Sequence, residues 1–389
     1  MSERSTPKSG LLGGMVQLAG SSDGAPSPQT QRAKTFVQQK KTIYPVHGML
    51  HDYLRKYHRT TDIELTYESL MQFNNAYPLE DEDGNDTLWR VVAYEPVVMR
   101  ELNEKLTRAY AKMKTEGDIS VVENLAVERI DYCEFGNSHP FRIRIVNRFN
   151  DNYDHFYVKQ ADTSRIYGLE LEHLLSPNRI TYLVRENTLF EEHIAGVPGD
   201  HFIEHYFKRK SLNKVRIAKE FIKFNERCFV RLLGDMRCYN YVVDITPDFE
   251  GEQYRVRSID FDQQCYEGQL NVYCPHRYDN NRPVVDLCAQ YINPATVRQY
   301  QLEERVLIAR RYRAVADRVR HIIDCMRHAP CTSYNKVQEL AEGLNEYHGV
   351  ERFTGCRNMA EILELQLEMS LAVARRNVRT LSERNVGRL

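Results

Sequence analysis

Two short motifs near the middle of the chain carry acidic and amide side chains at a spacing that suits phosphoryl transfer. The first, Gly234–Asn240, holds Asp235 and, five residues later, Asn240; the second, Ser258–Asp262, holds Asp260. In such sites the first Asp orients and deprotonates an attacking hydroxyl, while the Asn and the second Asp hold Mg²⁺ against the nucleotide phosphates. The spacing therefore predicts Asp235 as the catalytic residue and Asn240 and Asp260 as metal ligands.

The elements before the two motifs must bring them together. An apolar helical run, Val215–Leu233, ends just before the first motif, and a short strand-like run, Tyr254–Arg257, ends just before the second. A loop and a strand end can converge on one ion in this way. Asp262 adds a further carboxylate, and its role stays open between a metal ligand and the cap of a local turn.

A lysine lies upstream of both motifs, at the end of an alternating strand. The strand is Asp154–Lys159, and Lys159 is expected to neutralise the α- and β-phosphates of a nucleotide, held by an ion pair with a helix glutamate. The helix predicted over 164–175 supplies that glutamate. Glu170, next to the packed face, is the first choice, and Glu172 is the alternative.

The strand predicted over 188–194 leads out of the β-rich region. We expect the backbone of His193 and Ile194 at its end to bind the adenine edge. The segment Glu134–Pro140 lies between two predicted strands, where a phosphate-covering loop belongs. It has one glycine, so any phosphate contact there is weakly specified.

Other chemistries find less support. Cys265, Cys274 and His276 do not have the spacing of a closed zinc site. Neither a Gly-x-Ser-x-Gly elbow nor a His-Glu-x-x-His helix occurs, so no hydrolase motif is present.

Asp286, near the start of a later helix, is a candidate anchor for the catalytic loop.

The two motifs resemble those of the protein-kinase-like superfamily, in its atypical branches. The Gly234-Asp235 pair resembles the motif at the corresponding place in the aminoglycoside and choline kinase group. The sequences of Gly234–Asn240 and of Asp260–Tyr266 resemble the nucleotide-site motifs of the isocitrate dehydrogenase kinase/phosphatase family. The resemblance covers about residues 125 to 295.

The resemblance implies binding of ATP and Mg²⁺. It gives Asp235 the role of catalytic acid/base, Asn240 and Asp260 the role of metal ligands, and Lys159 the role of phosphate contact. Gln263 stands where that family has an acid, and the chain is shorter than the bifunctional enzyme. Phosphatase activity and the isocitrate dehydrogenase substrate are therefore not implied.

The amino-acid composition limits the classes of protein to which this chain can belong. The 389 residues are 42% hydrophobic, enough for a full core, and 53 Lys and Arg against 54 Asp and Glu give a net charge of −1. No bulk charge favours nucleic acid or an anionic membrane, and no apolar run approaches the roughly 18 residues that span a bilayer. The nine cysteines lack paired spacing and no signal peptide is evident, which predicts reduced thiols and a cytoplasmic protein.

The predicted fold class is α+β, a bilobal protein-kinase-like fold with a small β-rich N-lobe and a helical C-lobe. Residues 1–40 are rich in Ser, Gly, Pro and Gln and predict a disordered tail. A helical N-terminal extension is expected over 41–120, the N-lobe over 121–195, and the C-lobe with a helical C-terminal region over 196–389. The remaining predicted strands are 127–133, 141–147 and 179–185, and the remaining helices are 97–113, 302–326 and 358–374.

The predicted activity is transfer of the γ-phosphoryl group of ATP to a hydroxyl of a protein or small molecule, with Mg²⁺ as cofactor. The acceptor and the oligomeric state are open, and neither nucleic acid nor a membrane is expected as a partner. One alternative is a catalytically inactive kinase-like module that binds nucleotide or a partner. Another treats Asp260 and Asp262 as the metal-binding acid pair of a sugar-nucleotide transferase.

Overall fold

The chain is a mixed α/β protein with an antiparallel sheet and many helices. The computed structural model describes residues 41–82, 84–114, 120–134, 138–249, 251–329 and 331–386, so the predicted tail lies outside the described residues. Two compact units are present. The sheet unit comprises residues 40–166 and 180–193, and the helical unit comprises residues 167–179 and 194–389.

The sheet unit is built on seven strands in the order β1-β2-β3-β4-β5-β7-β6, with every neighbouring pair antiparallel. The strands are β1 (Asn75–Glu80), β2 (Asp86–Ala93), β3 (Leu125–Cys133), β4 (Phe141–Asn147), β5 (Tyr153–Gln160), β6 (Tyr182–Arg185) and β7 (Thr188–Glu192). The helices are α1 (Gly48–Lys56), α2 (Tyr67–Leu70) and α3 (Pro96–Lys114), followed by a 3₁₀ turn over Ser120–Asn124.

The two faces of this sheet differ because side chains alternate along each strand. In β4, Phe141, Ile143 and Ile145 are buried, whereas Arg142 and Arg144 lie on the opposite face. The buried face forms one core cluster with residues of α3 (Leu102, Leu106) and of the segment between α1 and α2 (Ile63, Leu65). The period-two pattern thus locates the core side of the sheet.

Residues 41–120 differ from the expected helical extension. Two of its stretches form the hairpin β1–β2, and Trp89 of β2 pairs with Cys133 of β3, so the hairpin extends the same sheet. The acidic segment before Asp86 contains a turn and joins the two strands. Its Asp81 side chain accepts a hydrogen bond from the Asn85 backbone at 2.8 Å. Strand pairing with β3 depends on residues far along the chain, which local periodicity does not contain.

The helical unit contains most of α4 (Thr163–Leu175) and a three-stranded sheet in the order β10-β9-β8. Its strands are β8 (Val197–Pro198), β9 (Tyr241–Asp248) and β10 (Gly251–Ser258), and its further helices are α5 (Gly199–His201), α6 (Lys214–Arg231), α7 (Arg282–Tyr291), α8 (Pro294–Ala314), α9 (Ala316–His328), α10 (Tyr334–His348) and α11 (Met359–Val386). Short turns complete it: a π turn over Phe202–Tyr206 and 3₁₀ turns over Cys238–Asn240, Leu270–Tyr273, Pro275–Arg277, Asp279–Asn281 and Arg352–Gly355.

The predicted long helices are present, with one division. The single apolar stripe expected over 302–326 belongs to two helices, α8 and α9, because the backbone leaves the helical region at Val315. Asn358 caps α11, as its side chain accepts a hydrogen bond from the Glu361 backbone at 3.0 Å. None of the described helices combines the length and the apolar character that crossing a lipid bilayer requires.

Buried pairs of arginine and glutamate tie the helices of this unit together. Glu172 of α4 forms an ion pair with Arg231 of α6, and both side chains are almost fully buried. Two further pairs join α6 to the middle of α8, one joins α4 to α9, and one lies within α6 (Glu226–Arg305, Arg227–Glu304, Glu170–Arg318, Arg227–Glu220). Removing one partner of such a pair leaves a buried charge without compensation.

The Glu172–Arg231 pair provides a test of this arrangement. Burial would raise the pKa of Glu172, but Arg231 holds that pKa below its ordinary value. We expect Glu172→Ala to lower the free energy of unfolding by about 3–5 kcal/mol, measured by urea denaturation, because Arg231 is left buried and unpaired. Asp317→Ala removes a solvent-exposed pair with Arg320 and should cost no more than about 1 kcal/mol. Equal losses for the two variants would contradict the role of the buried pair.

Candidate phosphoryl-transfer site

The first motif begins where α6 ends. Leu232 adopts a left-handed conformation, with φ 55° and ψ 47°, which terminates the helix. Gly234 follows in close contact with the chain beyond the second motif, because a Cβ there would lie 2.7 Å from Val272 Cγ1. Asp235 again has a positive φ of 57°. The turn that presents Asp235 is thus set by backbone geometry and by a position where only glycine fits.

Backbone hydrogen bonds join the two motifs. The Gly234 N–H donates to the Gln263 carbonyl at 3.1 Å, and the Ile259 N–H donates to the Asn240 carbonyl at 3.0 Å. Asn240 also donates from Nδ2 to the carbonyl of Asp235 at 2.7 Å. The three residues expected to act together are therefore adjacent in the fold: Asn240 contacts Asp235, and Asp260 follows directly on the residue bonded to Asn240.

Asp235 is a buried acid with both an arginine and other acids near it. Burial raises its pKa to about 7, the nearby Arg237 guanidinium acts in the opposite direction, and Asp260, Glu267 and Asp262 raise it further. Arg237 Nε lies 2.9 Å from Asp235 Oδ1. A carboxyl that titrates near neutral pH suits proton transfer.

Arg237 itself is held from two sides. Its Nη1 donates to the Tyr239 hydroxyl at 2.7 Å, and its guanidinium carbon lies 5.5 Å from the centre of the Tyr278 ring. The guanidinium is thereby kept beside the Asp235 carboxylate.

The donor atoms near the second motif fit a hard divalent cation in part. A carboxylate of Asp260 and the amide oxygen of Asn240, whose Nδ2 is already engaged, are oxygen ligands of the type Mg²⁺ prefers. The Asp262 N–H donates to Asp260 Oδ1 at 3.2 Å, so this segment forms a local turn around Asp260. No group of three or more His, Cys, Asp or Glu side chains is placed to hold a metal among the residues that the structure describes. Nucleotide phosphates and water would have to complete the coordination.

The loop after α6 is anchored by Asn281 and not by Asp286. Asp286 lies on the exposed side of α7 and pairs with Arg282 at 2.7 Å, so the expected anchoring role is wrong. Asn281 is fully buried; its Nδ2 donates to the Met236 carbonyl at 2.9 Å, and its Oδ1 accepts from the Tyr241 hydroxyl at 3.1 Å. Nothing in the sequence separates Asn281 from the adjacent Asn280, which is why it was missed.

Lys159 has a carboxylate partner that sequence reasoning did not find. Its Nζ donates to Glu191 Oε2 at 2.9 Å, and Arg165 donates to the same oxygen at 3.0 Å. Lys159 is 6% exposed. Tyr157 pairs with Glu191 across β5 and β7, so Glu191 lies diagonal to Lys159, within reach of a long side chain. The strand register, which the sequence does not reveal, creates this pair.

The two glutamates considered as partners of Lys159 belong to the helical unit. Glu170 accepts a hydrogen bond from Arg318 Nε at 2.7 Å, and Glu172 pairs with Arg231. Lys159 belongs to the sheet unit. The pairing of Lys159 with Glu170 joins two units and stays a prediction.

The residues expected to bind adenine follow the end of β7. His193 Nδ1 lies 3.3 Å from the Tyr157 hydroxyl, burial lowers the pKa of His193, and Ile194 is buried. Contact of their backbone with a base stays a prediction. In the expected phosphate-covering segment, residues 135–137 lie outside the described part of the chain.

The rejected zinc trio has structural roles. Cys265 and Cys274 are buried thiols whose pKa values burial raises. His276 Nδ1 lies 2.8 Å from Asn225 Oδ1, and burial lowers the pKa of His276 to about 3. A neutral buried histidine bonded to an amide explains this residue without a metal.

Comparisons with known proteins add little. No protein-family profile matches this chain, and no curated protein is significantly similar to it. The solved structure of the PAN3 pseudokinase from Neurospora crassa is similar at 10% sequence identity, covering 73% of each chain with a TM-score of 0.18. At that TM-score the likeness carries no argument about fold or function.

The burial of His276 as a neutral side chain can be tested by the pH dependence of stability. Because its pKa is about 3 in the folded chain, only the unfolded chain takes up the proton as the pH falls below the ordinary value of 6.5. The folded state therefore loses stability over that range, by at most about 1.4 kcal/mol per pH unit. We expect His276→Gln to show a smaller loss of unfolding free energy than wild type between about pH 6.5 and pH 4.5.

The control for this measurement is His201→Gln, at an exposed histidine. That variant should keep the pH dependence of the wild type. Parallel curves for wild type and His276→Gln would show that His276 is not buried as a neutral side chain.

Proposed function

We propose that this chain is an ATP- and Mg²⁺-dependent phosphotransferase of the protein-kinase-like type, with a hydroxyl-bearing protein or small molecule as acceptor. The observation that carries the proposal is the junction of the two motifs, where Asn240 bonds to Asp235 and Asp260 follows the residue bonded to Asn240. A base and two oxygen ligands in one place are the parts that phosphoryl transfer requires.

In this proposal Asp235 accepts the proton of the attacking hydroxyl. Its pKa of about 7 gives an ionised fraction at neutral pH together with useful basicity. Asn240 and Asp260 bind the metal, which would neutralise charge on the phosphates when it is present. Asp262 either joins them or only supports the turn around Asp260.

Lys159 is proposed to contact the phosphates of the nucleotide. The side chain is held by Glu191 and, through the same carboxylate oxygen, lies near Arg165. Holding a cation in a fixed place before the substrate arrives lowers the reorganisation that the reaction needs. Glu170 stays the proposed partner from the helix, and the backbone of His193 and Ile194 is proposed to bind the base.

A second candidate is a catalytically inactive kinase-like module. The ion pair between Arg237 and Asp235 favours it, since a carboxylate engaged within its own loop is a poorer base. This candidate keeps nucleotide binding and loses transfer.

Turnover of radiolabelled ATP separates the two candidates. With Mg²⁺ and a broad panel of hydroxyl acceptors, we expect wild type to release or transfer labelled phosphate. Asp235→Asn should lower that rate by about 10²–10⁴-fold, because the base is lost while the side chain keeps its shape and tolerates a positive φ. Asp260→Asn, which removes a proposed metal ligand, should lower the rate and raise the Mg²⁺ concentration needed for half-maximal activity.

The matched control is Asp286→Asn, an equivalent change at an exposed acid outside the site. Its rate should equal that of wild type. Wild type and Asp235→Asn both at background, with a melting temperature still raised by ATP and Mg²⁺, would favour the inactive module over the enzyme.

A further inference from the structure

A surface of lysines, arginines and tyrosines lies on the helical unit and has no part in the proposed reaction. It consists of the loop before α6, lysines of α6, of which Lys214 is exposed and the others are half-buried, and tyrosines from the neighbouring elements. We call it the Lys–Tyr surface (Lys208, Arg209, Lys210, Lys214, Lys219, Lys223, Tyr206, Tyr291, Tyr300).

The loop that carries its first cations is ordered by its own backbone and anchors. The Arg209 N–H donates to the Tyr206 carbonyl at 3.0 Å, and the Leu212 N–H donates to the Arg209 carbonyl at 3.3 Å. Phe202 and Leu212 are buried on either side. Asn213 then caps α6 by accepting from a backbone N–H of its first turn at 3.1 Å. The exposed cations are therefore presented from a fixed support.

The charge of this segment is strongly one-sided. Between Glu204 and Glu220 the chain has six arginines and lysines and not one acid, while the whole chain has a net charge of −1. Lys208, Arg209 and Lys210 are exposed, and within the described part of the chain they form no ion pair.

The same holds for Lys214 at the start of α6, whereas Lys223 pairs with Glu303 at 3.0 Å. Charges without partners of opposite sign add nothing to the stability of the fold, and they repel one another. A polyanionic partner would remove that repulsion.

Aromatic rings alternate with these cations. The Arg209 guanidinium carbon lies 3.5 Å from the centre of the Tyr206 ring, and Lys214 Nζ lies 5.7 Å from that of Tyr291. Farther along α6, two lysines approach the Tyr300 ring, at 5.1 Å and 6.0 Å (Lys219, Lys223). Tyr291 is 41% exposed. From Lys214 to Lys223 the helix rises by about 14 Å over about two and a half turns, so the contacts between rings and cations are spread along α6 and around it.

We propose that the Lys–Tyr surface binds single-stranded nucleic acid, with the cations on the phosphates and the tyrosine rings stacked on bases. Cations that follow a backbone and rings that stack on successive bases are the two elements of such binding. An acidic peptide would use the charges alone and leave the rings without a role. The proposal does not depend on the proposed phosphotransferase activity.

A membrane surface fits the same residues less well. Binding to anionic lipid calls for apolar side chains that enter the acyl boundary. On this part of α6 and its loop, Val215 is the one large apolar side chain that is markedly exposed, at 46%. The surface carries polar rings where a lipid-binding helix would carry an apolar face.

Fluorescence anisotropy with a labelled single-stranded oligo(dT) of about 15 nucleotides tests the proposal on the full chain without ATP. We expect binding that weakens steeply with salt. The combined change Lys208→Glu, Arg209→Glu and Lys210→Glu should weaken binding at least tenfold, and the milder triple change to Gln should weaken it less, with an unchanged melting temperature.

The matched control reverses three charges at other exposed arginines of α8 and α9 (Arg310→Glu, Arg313→Glu, Arg320→Glu). It carries the same net charge as the first triple variant and should bind nearly as wild type. Tyr291→Leu keeps every charge and should weaken binding to oligo(dT) while leaving binding to inorganic polyphosphate unchanged.

Three results would overturn the proposal. One is no binding of oligo(dT) by wild type at low salt. Another is an equal loss in the two charge-reversed variants. The third is binding that Tyr291→Leu does not change and that polyphosphate, or vesicles containing phosphatidylserine, reproduce; the surface would then bind anions without reading bases.

Discussion

The fold of the candidate site depends on a short ladder of backbone hydrogen bonds between residues 232–240, which follow α6, and residues 259–265, which follow β10. The Leu232 carbonyl accepts from Cys265 N–H, and the Asn240 carbonyl accepts from Ile259 N–H. Backbone groups buried away from water must find partners, so these hydrogen bonds are required wherever the two segments are buried against each other. The acids of the two motifs are brought together as a consequence.

Arg231 takes part both in a buried ion pair and in the hydrogen bonds near the ladder. Its side chain pairs with Glu172, and its carbonyl accepts a hydrogen bond from Gln264 Nε2 at 2.6 Å. Each buried charge is compensated only while the two partners stay in contact. The position of the loop after α6 is therefore linked to the packing of α4. Asp235, within that loop, keeps a raised pKa because burial opposes its charge more than Arg237 supports it.

Periodicity predicted most of the strands and long helices, since those patterns are local. It did not predict the hairpin β1–β2 as part of the sheet, because Trp89 finds its partner in β3. The motifs predicted which residues gather around Asp235, yet Glu191 and Asn281 were missed because their contacts come from strand register and loop packing. Net charge was equally uninformative about the Lys–Tyr surface, since a sum over the chain hides how the charges are distributed.

The most direct test of the central claim is a crystal structure of this protein with Mg²⁺ and a non-hydrolysable ATP analogue. We expect the metal about 2.1 Å from a carboxylate oxygen of Asp260 and from Oδ1 of Asn240, with Lys159 Nζ on the phosphates. Asp235 should remain free of the metal and face the terminal phosphate. A nucleotide bound with its metal on other residues, or no nucleotide at saturating concentration, would contradict the account.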